Sequence, residues 1–282
     1  MFGALVIDKP SGWTSHDVVA KMRGIARTKR IGHLGTLDPM ATGVLPLLLG
    51  NATRLARFHT NERKVYEGVI RFGFSTNTYD AEGEATSEFV AFQTDEATLT
   101  DAIAQRFLGE IAQVPPPVSA KKINGVPAYK LARKNKEVKL DAVPVRIEEF
   151  RVLHCEGDSA SVRVTCSPGT YVRSLAHDLG AALGLGAHLA ALRRISSGSF
   201  TLEQAISIEE AQRLADEGQL ESRIIPAASL LPELPTEIVD DATARQIRDG
   251  RAFRVSPFNA PADPKQAFLK AVTKTGALVA IG

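Results

Sequence analysis

The 282-residue sequence has two cysteines, one tryptophan and little net charge. Cys155 and Cys166 lack the spacing of a metal site, so we expect free, buried thiols in a reducing compartment. The formal net charge of +2 does not predict a nucleic-acid-binding field over the whole molecule. The local distribution of basic residues is therefore the more informative property.

Long apolar runs are also missing. The segment Met1–Lys9 lacks the basic start of a signal peptide, and its apolar run is too short for one. The longest apolar runs elsewhere, such as Val44–Leu49, have the length of a strand and cannot span a bilayer. We therefore expect a cytoplasmic protein that does not associate with a membrane.

Three catalytic signatures are absent from the sequence. No glycine-rich loop ends in Lys-Ser or Lys-Thr, which counts against an NTPase, and no His/Cys cluster indicates a catalytic metal. Glycoside hydrolysis normally needs two carboxylates, but we find no second carboxylate in a motif comparable to that of Asp38. A retaining hydrolase is therefore disfavoured.

The segment 32–43 stands out among the residues that are present. It places three glycines, a proline, a histidine and one carboxylate between two apolar segments. Glycine and proline restrict the loop to a defined shape, and Asp-Pro alone is typical of a simple tight turn. In a catalytic reading, Asp38 is ionised near neutral pH and can act as nucleophile, base or electrostatic stabiliser.

Hydrophobic periodicity predicts an α+β protein. Apolar runs predict strands at 2–7, 44–49, 64–72, 146–153 and 161–166, with strand-like pieces near 251–255 and 267–281. Helical patterns cover 14–29, 53–60, 95–108, 169–183, 207–217 and 240–249. Their irregular order favours a mixed, largely antiparallel sheet with flanking helices. Prolines 226, 232 and 235 mark a linker, so we expect one domain over 1–232 and a small one over 236–282.

Three basic runs flank the glycine-rich loop. They are the cations of 21–30, the stretch 119–139, and Arg193 with Arg194. Each alone is typical of a solvated face, but together they favour RNA or nucleotide binding. Tyr66 and Tyr171 can stack on a base, although each alone is typical of a core or rim aromatic. Arg173 can pair with a buried aspartate, or form an ordinary surface pair at a helix start.

The pattern Gly-His-x-Gly-x-Leu-Asp-Pro-x-Ala-Thr-Gly over 32–43 resembles the catalytic motif of the TruB-type tRNA pseudouridine synthases. Six further segments resemble that family's motifs in the same order: 8–15, 64–66, 78–83, 115–122, 169–173 and 192–194. The resemblance covers about residues 1–232. By position, the C-terminal unit resembles a small RNA-binding domain of the PUA kind.

The resemblance implies a fold, a reaction and a partner. The fold is that of the pseudouridine synthases, and the reaction converts uridine-55 of the tRNA T loop to pseudouridine after the base has flipped out of its stack. The partner is therefore tRNA, bound through its T arm. No metal, nucleotide or organic cofactor is needed. We expect a monomer, because nothing in the sequence indicates an obligate oligomer.

The resemblance also assigns roles to residues. Asp38 matches the catalytic aspartate, Arg173 the arginine that pairs with it, and Tyr66 the tyrosine that stacks on the flipped base and helps remove the C5 proton. The remaining matches are expected to bind substrate: His33 in the vacated space, Tyr171 and Leu192 against the uracil, and Asp80 in the catalytic cleft. Attack on C1′, attack on C6 and removal of the 2′ proton all remain open as the step that Asp38 performs.

Two alternatives remain open at this stage. A guide-RNA-dependent relative is the second enzymatic reading, although the sequence has no long basic extension at either end. An RNA-binding or tRNA-folding protein that has kept the scaffold is the non-enzymatic reading. It predicts that Asp38→Ala leaves the cellular role intact.

Overall fold

The computed structural model describes residues 1–119, 140–253, 256, 258 and 268–282, and the backbone of 122–123 and 126–127. Within them lie five α-helices: α1 Ser15–Ile25, α2 Glu96–Arg106, α3 Val172–Ala182, α4 Ile208–Asp216 and α5 Asp241–Arg248. The strands are β1 Gly3–Lys9, β2 Ile31–His33, β3 Thr42–Leu49, β4 Lys64–Phe72, β5 Gly109–Gln113, β6 Lys122–Ile123, β7 Val126–Pro127, β8 Val143–Glu156, β9 Ser159–Cys166, β10 Ala187–Ser197, β11 Phe200–Thr201, β12 Ile225–Pro226, β13 Thr236–Val239, β14 Lys270–Thr273 and β15 Leu278–Ile281.

Ten strands form one sheet in the order β12-β1-β3-β10-β4-β9-β8-β5, with β2 paired to β3 and β11 to β10. The pairings are antiparallel except that of β3 with β10, where Thr42 lies opposite Arg193 and Gly43 opposite Arg194. The predicted mixed, largely antiparallel sheet with flanking helices is confirmed. The parallel pair matters for function, because the glycine-rich loop leads directly into β3.

Both faces of the central strands are buried, which explains their continuous apolar sequences. Along β1, Leu5 and Ile7 point into one core, while Ala4 and Val6 point into a second core on the other face. The first core also contains the apolar sides of α1, α3 and α4. A sheet covered on both faces provides a rigid support for the loops at its ends.

Helix α1 shows how local sequence sets an element boundary. Thr14 caps its N-terminus through a capping box with Asp17. The predicted end at Lys29 is wrong, because the helix stops at Ile25 and Arg27 adopts a left-handed φ of 47°. The cations after Ile25 therefore lie in the connection to β2 and not on a helix face.

Other boundaries were missed for physical reasons. Strand β5 follows α2 directly, and only two of its five residues, Ile111 and Ala112, are apolar, so it has little periodic signal. The segment predicted as a short helix at 53–60 is a 3₁₀ helix, Gly50–His59.

The predicted strand 64–72 is confirmed, with Tyr66, Ile70 and Phe72 buried on one face.

The C-terminal segment forms its own three-stranded sheet, in the order β13-β14-β15, with α5 packed on it. The predicted helix at 240–249 is confirmed by α5, whose N-cap is Asp240. Of the expected strand near 251–255, positions 254 and 255 lie outside the described residues. No helix among the described residues is long and apolar enough to cross a membrane.

Candidate active site

Three residues from β1 and the start of α1 hold the glycine-rich loop from one side. The buried ammonium of Lys9 donates to the carbonyl of Pro39 at 3.1 Å, and the N–H of Gly12 donates to the same oxygen at 2.9 Å. The hydroxyl of Ser15 donates to the carbonyl of Leu37 at 3.1 Å and accepts from its N–H at 2.8 Å. These contacts fix the backbone on both sides of Asp38.

Arg194 holds the loop from beneath. Its guanidinium is fully buried and donates to the carbonyls of Val44 at 2.7 Å, Gly35 at 3.1 Å and Thr36 at 3.4 Å. At Gly43 the parallel strands approach so closely that an added Cβ would lie 2.3 Å from the carbonyl oxygen of Arg194. The sequence had suggested that Arg194 lines a phosphate-binding face. That prediction is wrong, because Arg194 is a buried support of the loop.

The loop presents Asp38 to Arg173, which lies in the first turn of α3. Arg173 Nε lies 2.9 Å from Asp38 Oδ2, and Nη1 lies 3.2 Å from Asp80 Oδ2. The Nε contact has the distance of an ion pair but not the direction of a hydrogen bond. The same guanidinium donates to the carbonyls of Thr78 and Val118, so its orientation is fixed. The predicted pairing of Arg173 with an aspartate is therefore observed.

Asp80 lies on the side of Arg173 away from the solvent. It is 3 % exposed, and its Oδ1 accepts from the hydroxyl of Thr78 at 2.6 Å and the N–H of Glu82 at 3.1 Å. It does not line the cleft beside Asp38. The structure thus places Asp80 in contact with Arg173 and outside the lining of the cleft, while a contact of Asp80 with substrate stays a prediction.

Two tyrosines line this cleft. Tyr66 lies on the buried face of β4, and burial raises the pKa of its phenol, while the nearby Arg194 acts in the opposite direction. Burial also raises the pKa of Tyr171, the N-cap residue of α3. Gln113 of β5 holds the Tyr171 backbone, donating to its carbonyl at 3.0 Å and accepting from its N–H at 2.8 Å.

His33 and Leu192 complete the surroundings of Asp38. The cleft has a volume of about 440 Å³ and is lined by Asp38, His33, Tyr66, Tyr171, Arg173 and Leu192, among others. Burial lowers the pKa of His33, and the nearby Arg194 lowers it further, which favours the neutral imidazole. The structure thus brings together around the cleft every residue predicted for the site except Asp80. Asp80 reaches the site only through its contact with Arg173.

The other basic runs are distributed differently. The cations of 21–30 are exposed, as a phosphate-binding face requires. Arg193 forms an ion pair with Asp8, with Nη2 2.7 Å from Oδ2. Of the basic stretch 119–139, all lysines and arginines except the backbone of Lys122 lie outside the described residues. Both cysteines are free, Cys166 buried and Cys155 half-buried.

The arrangement is a carboxylate beside a fixed cation, in a cleft with aromatic and apolar walls. A flat, polar heterocycle fits such walls, since stacking on tyrosine does not depend on base identity. Among the described residues, no group of three or more His, Cys, Asp or Glu side chains could hold a metal ion. The chemistry that these residues offer is that of one oriented carboxylate.

Sequence reasoning missed three residues that support the site, Lys9, Ser15 and Gln113, and it gave Arg194 a different role. Lys9 and Ser15 stand in a segment, 8–15, that resembles a family motif, which was the available signal. Gln113 had none, because its contact with Tyr171 depends on the pairing of β5 with β8.

Two family domains match the chain. Residues 23–172 match the TruB family pseudouridylate synthase N-terminal domain, and residues 173–232 match the tRNA pseudouridylate synthase B C-terminal domain. The second match contains α3 and β10 but ends before the terminal sheet. Together the matches include all six residues that surround the cleft beside Asp38.

Two similar relatives are named tRNA pseudouridine synthase B. The one from Solibacter usitatus is 55% identical over 282 residues, covering 100% of this chain and 95% of the relative. The one from Thermobifida fusca is 46% identical over 264 residues, covering 90% and 87%.

Solved structures are similar as well. The chain resembles one in "Crystal Structure of a Cbf5-Nop10-Gar1 Complex" with a TM-score of 0.72 and 29% identity, over 100% of this chain and 78% of that one. A chain of "Structure of H/ACA RNP bound to a substrate RNA containing 2'-deoxyuridine" gives 0.72 and 27%, over 100% and 77%.

Proposed function

The chain belongs to the TruB family of pseudouridylate synthases, and from this premise we propose that it converts uridine-55 in the T loop of tRNA to pseudouridine, with Asp38 as the catalytic carboxylate. The observation that carries the proposal is the contact of 2.9 Å between Arg173 Nε and Asp38 Oδ2 inside the cleft. It orients the one carboxylate that both lines the cleft and stands in the family motif.

The reaction needs a uridine outside its stack, which costs a few kcal/mol for a base in an RNA loop. A cleft of about 440 Å³ with two tyrosines and Leu192 on its walls offers the stacking surfaces that support such a base. The imidazole of His33 lies at the start of the glycine-rich loop, and we assign it to the space that the base vacates. Tyr66 then stacks on the uracil.

Asp38 acts on the ribose or the base once the uridine is bound. The N1–C1′ bond breaks, the uracil turns and C5 bonds to C1′. C5 then loses its proton to the solvent and N1 takes one up, so that the product is an isomer of the substrate. The protein supplies a fixed carboxylate for this sequence, since Lys9, Ser15 and Arg194 hold the loop backbone and Arg173 holds the side chain. Such pre-positioning accounts for a large part of enzymatic rate enhancement.

The terminal unit 236–282 is proposed as a second RNA contact of PUA-like kind, distinct from the catalytic domain 1–232. Arg245 and Arg248 lie in the last turn of α5, and both are exposed. Exposed arginines can bind the phosphates of RNA, so we assign to this unit a contact with the tRNA outside the T loop.

Tritium release from C5-labelled uridine in a T-arm transcript tests the proposal. The native protein is expected to release tritium, and Asp38→Asn is expected to release none above background while binding the RNA within a few-fold of the native affinity. Asp101→Asn, an exposed carboxylate on α2, is the matched control and should release tritium normally. No release by the native protein would refute the isomerase, and full release by Asp38→Asn would refute the role of Asp38.

A guide-RNA-dependent synthase is the second candidate, because two of the similar solved structures are described as Cbf5-Nop10-Gar1 and H/ACA complexes. The same assay separates the two candidates. Release by the purified chain on a T-arm transcript without any guide RNA excludes the second. Release that appears only after a guide RNA is added would replace the first.

A further inference from the structure

Among the described residues, two cations near the cleft form no ion pair with a carboxylate: Lys64, which lines the cleft, and Arg194, which lies beneath the glycine-rich loop. Arg194 donates to three backbone carbonyls and interacts with the hydroxyl of Tyr66, and the ammonium of Lys64 donates to the carbonyl of Glu62 at 3.1 Å. No ion pair found among the described residues includes either side chain. Both differ from Arg173, which two carboxylates balance.

The carboxylate nearest to Lys64 in sequence is directed away from it. Glu62 Oε1 lies 2.8 Å from Nδ1 of the buried His59. Glu62 is also confined by Gly198, where an added Cβ would lie 2.1 Å from Glu62 Oε2. The backbone of Glu62 therefore orients Lys64, while its carboxylate binds His59 and attracts the Lys64 ammonium only weakly.

Lys64 itself lies against the loop that carries Asp38. An added Cβ on Gly35 would lie 3.3 Å from Lys64 Cε, and both residues line the cleft. Burial lowers the pKa of Lys64, and Arg194 lowers it further. Partial burial of an unpaired cation costs free energy, and an anion that entered the cleft would recover it.

We propose that the Lys64 ammonium binds a backbone phosphate adjoining the uridine that enters the cleft. This inference rests on the proposed function, since it takes RNA as the occupant of the cleft. A phosphate matches the site because an ammonium–phosphate contact is charge-assisted and tolerates a point-like donor. The fully buried Arg194 contributes positive potential but no direct contact.

A coupling experiment tests this contact. The Kd of a T-arm hairpin is measured in the Asp38→Asn background, so that no turnover intervenes, with Lys64→Met, Lys64→Arg and the control Arg106→Gln. Arg106 is exposed in the last turn of α2 and does not line the cleft. Each protein is tested with hairpins that carry one neutral methylphosphonate, placed in turn at each linkage flanking the target uridine.

Lys64→Met should weaken binding about tenfold or more, Lys64→Arg clearly less, and Arg106→Gln less than about twofold. In the protein that keeps Lys64, a methylphosphonate at one of the two linkages should weaken binding to a similar extent. In Lys64→Met, the same methylphosphonate should have no further effect. The proposal would be overturned if the methylphosphonates at both linkages weakened binding as much in Lys64→Met as in the protein that keeps Lys64. An unchanged Kd in Lys64→Met would also overturn it.

The two proposals fail differently. If the native protein releases no tritium, the isomerase fails regardless of the coupling measured here. If it releases tritium and the coupling is absent, only the phosphate site fails. Thermal unfolding of Lys64→Met shows whether the fold is intact, and Lys64→Arg keeps the inference testable if it is not.

Discussion

At the scale of single residues, Arg173 determines the electrostatics around Asp38. One guanidinium contacts two carboxylates and two backbone carbonyls, and its side chain is 5% exposed. A buried arginine deprived of its partners would be strongly destabilising, so Asp80 stabilises the cation that Asp38 needs. The buried Asp80 thus acts on Asp38 through Arg173.

Tyr66 lends itself to a single-atom change. Tyr66→Phe keeps the ring that we expect to stack on uracil and removes the hydroxyl. Because general acid–base steps contribute about 10²–10⁴-fold, kcat should fall by about 10²-fold, while the Kd for RNA should change less than about threefold. Single-turnover tritium release and a binding titration measure the two quantities. A large loss of affinity with normal turnover would contradict the proposed role.

Residue chemistry could be predicted where a motif carried it, and could not where burial decided the role. Asp38, Tyr66 and Arg173 stand in segments that resemble family motifs, and the structure places them together. Arg194 stands in such a segment too, yet its role depended on contacts across 150 positions with Val44. The sequence of a basic dipeptide does not show whether its side chains face solvent or lie beneath a loop.

At the scale of elements, the parallel pairing of β3 with β10 restricts Gly43. Gly43 has a φ of 99°, and Gly12 has a φ of 81° with no atom within 4 Å of an added Cβ. Gly12→Ala should therefore cost only backbone strain, about 1 kcal/mol, whereas Gly43→Ala adds a backbone clash and should cost about 3 kcal/mol or more. Urea unfolding of both variants measures the difference. Equal losses would show that the strand does not need this close approach.

Helix α3 carries a second testable feature, the half-buried Asp178. Burial raises the pKa of Asp178 to about 6. In the folded protein it stays protonated between about pH 4 and 6, where the unfolded chain loses the proton, so the free energy of unfolding falls as pH rises through that window. Asp178→Asn, which cannot ionise, should be about 2 kcal/mol more stable than the native protein at pH 7 and equal to it below about pH 4.

Urea midpoints of the native protein, Asp178→Asn and the exposed control Asp101→Asn, taken between pH 4 and 7, check this prediction. A stability difference that is the same at every pH would contradict it, since that pattern would come from packing of the amide and not from the charge.

Element types were predictable where periodicity was strong, as in β4 and α5. Boundaries were not, because helix α1 ends at a left-handed Arg27 that no glycine announces. Strand β5 is half exposed and stable through its partner β8, so its sequence alone carries little signal.

At the scale of the molecule, the terminal sheet packs against the second core. Leu278 and Ile281 of β15 pack against the cluster that includes Val6 of β1. Phe58 and Phe268 meet edge to face with centroids 5.2 Å apart. The ammonium of Lys270 donates to the carbonyl of Ala228 at 3.0 Å. The terminal sheet therefore covers apolar surface that would otherwise be exposed.

This packing predicts a single cooperative unfolding transition for the whole chain, because separating the terminal sheet would expose the second core to water. Trp13, the only natural tryptophan, reports on the catalytic part of the chain. A Phe268→Trp variant in a Trp13→Phe background reports on the terminal unit. Guanidinium midpoints from the two fluorophores should coincide within error. An earlier transition at position 268 would show that the terminal sheet detaches first. Its contacts with the second core and with Phe58 would then contribute little to the stability of the catalytic sheet.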